Sequence, residues 1–326
     1  MTTAPLSCLV ITDGRRGIEN QALGLAEAAA RLRPSDISPL IIDAGAAFKA
    51  ASPTLQFAMK SRPSDYGISG PPPDFAIGCG RQAIAPLLAL KKAAPTCFTA
   101  YIQDPRLDPS RFDLVIAPEH DGLTGNNVET MIGSPNRIIK AEIAGKTLKF
   151  ANKLDTLPMP RAAFMIGGHS KTHKLTPHIH AAHIEAAQTL IKKGHSLLIS
   201  TSRRTPDFAR KGWEDLEETH DNIWLYDGDG PNPYTAFLGG AEIICVTEDS
   251  TNMLTEAASS GKAVFRLPMD GKAGKFEQLY NQLKQRCHIE RFSGKLDIPT
   301  YAPLDETGRI AEKFWAHYDA RDAVMN

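Results

Sequence analysis

Two Rossmann-like α/β domains facing each other across an interdomain cleft are the fold this sequence predicts, and three observations carry the prediction. The chain has 326 residues, roughly twice a usual domain of ~100–200 residues. Short β-branched runs alternate with helical patterns, as βαβ units and a parallel sheet require. That alternation is interrupted once, at Asp155-Thr-Leu-Pro-Met-Pro160, and then begins again. Two prolines in three positions force extended backbone. The expected domains are therefore residues 1–155 and 161–303, with a last helical segment over 304–326.

In the first half, strands are expected over 6–11, 38–42, 74–77, 97–102 and 114–117. Ile18, Ala22, Leu25, Ala26, Ala29 and Leu32 mark one face of a helix. A second helix spans about 81–92, and a helical stretch ends near Lys153. In the second half the expected order is strand 162–166, helix 177–193, strand 196–200, helix 206–216 and strand 223–226. Strand 242–246, helix 251–260, strand 263–267 and helix 272–285 follow. The final helical pattern covers 306–318. No fixed-period repeat and no low-complexity segment interrupts this order.

Composition excludes several classes. Hydrophobic residues at 42% and charged residues at 23% are near globular averages, which argues against disorder, a fibrous repeat or a disulfide scaffold. Lys+Arg and Asp+Glu balance at 37 each, so no global field draws the chain to nucleic acid or anionic lipid. Any anion site must be local. Cys8, Cys79, Cys97, Cys245 and Cys287 show no C-x-x-C spacing and read as small core residues in a reducing compartment. The N-terminal residues show no signal-peptide pattern, and no apolar run approaches the ~20 residues of a spanning helix. A cytoplasmic location is expected, with peripheral membrane contact open.

Three stretches of the second half carry ligand chemistry. In Phe164-Met-Ile-Gly167-Gly168-His169-Ser170-Lys171-Thr-His173 an apolar strand empties into a Gly-Gly turn followed by hydroxyls and a cation. Backbone N–H groups of such a turn and the next helix's N-terminus can hold a phosphate, with Lys171 neutralising charge; an ordinary tight βα turn explains the glycines too. The next strand ends in Thr201-Ser202-Arg203-Arg204-Thr205-Pro206, at the carboxyl edge where parallel sheets bind ligands. An adjacent Arg pair is also a common solvated surface feature. The third is Thr247-Glu248-Asp249-Ser250-Thr251-Asn252-Met253-Leu-Thr-Glu256, in which Ser250 or Asp249 can cap a helix and Glu256 lies about two turns in.

In the first half, Thr12-Asp13-Gly14-Arg15-Arg16-Gly17-Ile-Glu19-Asn20-Gln21 follows the first strand and crowds polar chemistry at its carboxyl end. Gln103-Asp104-Pro105-Arg106 and Ala117-Pro-Glu119-His120-Asp121 end two further strands; plain surface loops would also have these compositions.

Taken together, Asp13 to Gln21, Tyr101-Ile-Gln-Asp-Pro-Arg106, the Gly-Gly-His-Ser-Lys stretch, Thr201 to Pro206 and Glu248 to Glu256 resemble the motifs of the ELM1 (mitochondrial fission) family. They span most of the chain. Through that family the chain resembles the GT-B nucleotide-sugar glycosyltransferases. The resemblance implies a GT-B-like fold, a terminal helix that crosses back onto the first domain, and a donor site in the second domain. There a nucleotide-diphosphate sugar would meet Gly167, Gly168, Ser170, Lys171, Ser202, Arg203, Arg204, Glu248, Asp249, Ser250, Asn252, Met253 and Glu256, the last holding the ribose. The acceptor side would comprise Arg15, Arg16, Glu19, Asn20, Gln21, Gln103 and Arg106, with Asp13 as base and Asp104 or His120 as second choices. Stabilisation of the leaving diphosphate would be electrostatic, without a metal or other cofactor. The acceptor is left open between a lipid and a glycan.

Other signals point elsewhere. Gly78-Cys-Gly80-Arg-Gln-Ala83 matches the dinucleotide fingerprint G-x-G-x-x-A, with Asp104 roughly 20 residues on. It supports an NAD-dependent nucleoside-diphosphate-sugar epimerase, but it does not occupy the first βα turn. His169, His173, His178, His180 and His183 lie close in sequence without a zinc framework. Phe57-Ala-Met-Lys60-Ser-Arg62 suits either a membrane surface or a half-buried helix with snorkelling cations. The alternative from another class is a non-catalytic scaffold or membrane-division factor on the same fold.

Overall fold

A computed structural model describes residues 4–43, 45–296 and 299–325. In chain order the elements are β1 (Leu6–Thr12), α1 (Arg16–Leu32), β2 (Ser35–Ile41), α2 (Ala46–Ala50), α3 (Pro53–Met59), β3 (Phe75–Cys79), α4 (Ile84–Ala93), β4 (Phe98–Ile102), β5 (Leu114–Pro118) and β6 (Val128–Met131). Then come α5 (Lys140–Lys149), α6 (Ala151–Leu154), β7 (Arg161–Ile166), β8 (His173–Lys174), α7 (Pro177–Lys192), β9 (Ser196–Thr201), α8 (Asp207–Glu218) and β10 (Ile223–Tyr226). The last are α9 (Tyr234–Gly240), β11 (Ile243–Thr247), α10 (Thr251–Ser259), β12 (Ala263–Leu267), β13 (Asp270–Gly271), α11 (Phe276–Cys287), β14 (Glu290–Arg291) and α12 (Glu306–Met325).

Two compact units result, one holding the chain up to Arg137 together with the part from Asp305 onward, the other Ile138 to Leu304. The division therefore lies before α5, not at the proline pair near residue 155. The reason is packing: α5 and α6 lie against α9, where a Cβ on Gly239 would fall 2.1 Å from Thr147 Oγ1 and one on Gly240 3.0 Å from Leu154.

The first unit is a six-stranded parallel sheet in the order β2-β1-β3-β4-β5-β6. Strand side chains alternate between its faces. Cys8, Val10, Phe75, Ile77, Phe98, Ala100, Leu114 and Ile116 meet Leu25 and Ala29 of α1 and Phe314 and Trp315 of α12. Ile11, Ala76, Tyr101 and Val115 meet Ile84, Leu87 and Leu88 of α4 on the other face. Burial on both faces explains why these strands read as continuous apolar runs.

In the second unit the parallel order is β10-β9-β7-β11-β12-β14, with β8 and β13 forming a separate antiparallel pair. Phe164, Ile199, Cys245 and Phe265 pack on Ala187 and Leu190 of α7 and Trp213 of α8. Here the chain winds outward in one direction from β7 through β9 to β10, then in the other through β11, β12 and β14. The direction reverses between β7 and β11, and open α/β sheets place ligands at such a point. In the first unit the same reversal falls between β1 and β3.

Candidate functional site

The second unit's switch point assembles the loops after β7, β9 and β11. Because β7 lies between β9 and β11, Gly167-Gly168, Ser202 to Thr205 and Glu248 to Ser250 leave the sheet side by side. One carboxylate joins all three. Asp249 Oδ2 accepts from the Gly168 amide at 3.1 Å and pairs with Arg204 Nη2 at 2.7 Å, and its side chain is fully buried. The Gly167 amide donates to Thr247 Oγ1 at 2.8 Å. Thr205 Oγ1 donates to the Gly167 carbonyl at 2.6 Å, and Arg204 Nη1 donates to the His169 carbonyl at 3.1 Å.

This wiring corrects the expected use of the glycines. The Gly167 and Gly168 amides are spent on Thr247 and Asp249, so the turn's built-in anion is Asp249. Close approach explains why both positions are glycine: a Cβ on Gly167 would lie 2.2 Å from Asp249 Oδ1, and one on Gly168 1.9 Å from the Arg204 carbonyl oxygen. Arg204, expected at the ligand, is instead a strut between loops. Ser202 accepts from the Arg204 amide at 3.2 Å, and Ser170 from the amides of Thr172 and His173 at 3.3 and 3.0 Å, so both hydroxyls shape their own turns. Lys171 and Arg203 differ from these. Both are exposed, and among the described residues neither forms an ion pair.

Ser250 caps α10, its Oγ accepting from the Met253 amide at 3.3 Å, with Thr251, Asn252 and Met253 in the helix's first turn. Glu248 is committed elsewhere. Its buried carboxylate accepts from Arg266 Nη1 at 2.5 Å and from Arg291 Nε and Nη2 at 2.8 and 3.1 Å, tying β11 to β12 and β14. Glu256 is buried within α10 and accepts from the Tyr234 hydroxyl at 2.7 Å. Burial outweighs that hydrogen bond and pushes the carboxyl up to about 7. Tyr234 had no advance signal, since nothing in a spacing of 22 residues ties it to Glu256; Arg266 and Arg291 were missed for the same reason.

The neighbouring histidines are structural in this wiring. His169 Nδ1 accepts from the Leu175 amide at 3.2 Å; His173 meets Thr172 Oγ1 at 2.9 Å and the Tyr280 hydroxyl at 3.3 Å; His183 Nε2 meets the Pro268 carbonyl at 2.7 Å. Among the described residues no group of three or more His, Cys, Asp or Glu could hold a metal ion.

At the first unit's carboxyl edge, two Asp-x-Arg turns repeat one geometry. Asp13 accepts from the Arg15 amide at 3.1 Å and pairs with its guanidinium at 2.7 Å. Asp104 accepts from the Arg106 amide at 2.8 Å and pairs with Nε at 2.9 Å. Both carboxylates, candidate bases by sequence, are thus held by the arginine two residues on. Gln103 stands at φ +92°, a left-handed conformation costly for a residue with a Cβ; its amide donates to the Ile116 carbonyl at 2.8 Å and its side chain to Gln21 Oε1 at 3.2 Å. Gln21 is buried at the first turns of α1, Glu19 and Asn20 are half-buried beside it, and Arg16 is exposed. His120 is buried after β5, its Nε2 3.8 Å from Asp121. The fingerprint Gly78 to Ala83 begins within the end of β3 and runs up to the start of α4, and Gly78 serves packing there: a Cβ would meet Leu87 of α4 at 2.4 Å.

Comparison with known proteins adds a family and a fold. The model of the family described as Mitochondrial fission ELM1 matches residues 16–318. Mitochondrial fission protein ELM1 of Arabidopsis thaliana is 25% identical over 278 residues, 76% of this chain; the match spans 65% of that protein, just under two thirds of its length. Among solved structures, the UDP-GlcNAc 2-epimerase of Methanocaldococcus jannaschii superposes with a TM-score of 0.60 at 12% identity, covering 95% of this chain and all of that one. MurG of Acinetobacter baumannii does so at 0.51 and 12%, covering 96% and 100%. At these identities the likeness is one of fold, GT-B-like in both.

Proposed function

From the premise that this chain belongs to the mitochondrial fission ELM1 family, we propose that its second unit binds a nucleotide-diphosphate sugar at the β7–β11 switch point and that the protein transfers the sugar to an acceptor. One observation supports the reading: three neighbouring loops tied through Asp249 hold the capped start of α10, and Lys171 and Arg203 in two of those loops form no ion pair among the described residues. With the Gly-Gly amides and Arg204 already committed, these two cations and the α10 N-terminus supply the charge that stabilises a leaving diphosphate. Glu256 takes the ribose hydroxyls. Acceptor recognition falls to the first unit's edge, with Arg15, Arg16, Glu19, Asn20, Gln21, Gln103 and Arg106. Asp13 takes the proton, with Asp104 and His120 as second choices; the ion pair with Arg15 must loosen before Asp13 acts.

The test is a thermal-shift screen of nucleotide sugars followed by calorimetry on the best binder. Lys171→Ala and Glu256→Ala are each expected to weaken affinity about tenfold, or ~1.4 kcal/mol. Unchanged affinity in both would remove the donor-site assignment, and absence of any nucleotide binding would favour a non-catalytic scaffold or membrane-division factor.

A second reading follows from the likeness to the Methanocaldococcus enzyme: epimerisation of the sugar of a nucleotide sugar, with no acceptor. Incubation with nucleotide sugar alone separates the two, since a new sugar epimer by NMR supports epimerisation, whereas nucleotide release that needs an acceptor supports transfer. NAD retained through purification would instead support the dinucleotide fingerprint.

A further inference from the structure

We infer that the α3 corner of the first unit is a docking surface for an anionic lipid bilayer. The inference is independent of what the second unit binds. It begins with two apolar side chains that folding leaves in water: Leu55 is 51% and Met59 63% exposed. Four residues apart on α3, they share one face of the helix. On the opposite side Phe57 packs against the first unit's core, and the adjoining side is anchored too. Gln56 is fully buried, and its amide donates to the carbonyls of Phe48 and Ala51 at 2.7 and 3.2 Å. The Tyr66 hydroxyl donates to the Lys60 carbonyl at 2.7 Å and closes the end of the helix. The outward face is therefore presented by a fixed helix.

Charge commits this face to one kind of partner. Over the whole chain acids and bases cancel, yet no Asp or Glu occurs from residue 44 to 64 or from 75 to 103. Those two segments carry Lys49, Lys60, Arg62, Arg81, Lys91 and Lys92, and they meet in space because α3 packs on α4. Lys92 and Arg111 each lie 5.8 Å from the Phe57 ring of α3, and Lys60 lies 5.1 Å from Phe48. Asp65 is engaged by the Arg62 amide at 3.0 Å. Lys91 is neutralised by Asp113. Lys60, Arg62, Lys92 and Arg111 form no ion pair among the described residues, and the exposed Lys60 and Arg62 follow Met59 directly in the chain. An apolar tip with cationic flanks matches the interface of an acidic membrane, where the side chains enter the acyl boundary and the cations meet head groups.

Vesicle co-sedimentation of the full chain tests this. Phosphatidylcholine vesicles with about 30% phosphatidylserine are expected to carry the protein down at about 0.1 M salt, and to release most of it when salt screens the head groups. Pure phosphatidylcholine should bind little. The paired substitutions Leu55→Ser with Met59→Ser, and Lys60→Glu with Arg62→Glu, sit on exposed positions and should leave the thermal melt unchanged while each lowering the partition coefficient about tenfold. Failure of the wild-type chain to sediment with acidic vesicles overturns the proposal and leaves the face to a protein partner. So does equal binding by both variants. Loss on charge reversal alone, with the serine variant binding normally, overturns the insertion of Leu55 and Met59.

Discussion

At the scale of single residues, the second unit's edge shows how burial decides what an acidic side chain can do. Glu248 and Glu256 stand eight residues apart, both buried. Glu248 is met by two guanidinium groups, whereas Glu256 has only a tyrosine hydroxyl and is pushed up to about 7. In the unfolded chain a Glu carboxyl loses its proton near its ordinary value of 4.5. Between that pH and about 7 the folded state holds a proton that the unfolded state has released. Stability from this group is thus complete at low pH and declines as pH rises through the window. Glu256→Gln cannot ionise and should escape the decline. Urea midpoints at pH 5 and pH 8 are the measurement: the wild type should lose on the order of 3 kcal/mol more than the variant between the two. Parallel behaviour would mean that Glu256 is solvated better than its surroundings indicate.

The sequence placed Glu256 on the right helix because a 3.6-residue period and a capping serine are local signals. It could not disclose Tyr234 or the arginines around Glu248, since those pairings cross between strands and helices. Lys171 and Arg203 were legible as cations beside a sheet edge. That they, and not Arg204, form no ion pair among the described residues depends on where Asp249 sits.

Among elements, the loop after β7 is clamped between the loops after β9 and β11. Gly168→Ala drives a Cβ into the Arg204 carbonyl, which belongs to backbone and cannot swing aside. The loops after β7 and β9 would have to separate, breaking the Gly168–Asp249 and Arg204–Asp249 contacts together. A loss of about 2 to 3 kcal/mol is expected from overpacking and an unpaired buried carboxylate combined, read as a lower urea midpoint. Stability equal to wild type would show that the loop is not clamped as described. A Gly-Gly pair after a strand announces a tight approach; its partner is named only by the strand order.

For the whole molecule, the decisive element is α12. Phe314 packs edge-on to Phe75 and Phe98 with ring centroids 5.2 Å away in each case, and Trp315 Nε1 donates to the Ala29 carbonyl at 3.0 Å. The Glu306 carboxylate accepts from the Ile132 amide at 2.9 Å, and Arg309 donates to the Thr130 carbonyl at 2.7 Å. Removing residues 305–326 uncovers one face of the first unit's sheet. Losing two buried aromatics costs about 3–5 kcal/mol each, comparable with the ~5–15 kcal/mol that holds a domain folded. The truncated chain should therefore lose the first unit's cooperative unfolding transition while keeping that of the second. Two transitions preserved in calorimetry would mean that α12 is dispensable.

The amino-acid sequence by itself determined the α/β class, the presence of two parallel sheets and which loops lie at strand carboxyl ends. Alternation, capping residues and glycine turns are written within a few positions of where they act, so they survive reading one segment at a time. It also carried the family, through motifs spread along most of the chain. Only the tertiary structure decided that α5 and α6 belong to the second unit, that Glu248 is a tie between strands, that Asp249 fills the Gly-Gly turn, and that Leu55 and Met59 face water. Each of these depends on which distant segment arrives as a neighbour. Contacts of that kind come from packing whole sheets and helices together, and no local spacing encodes them.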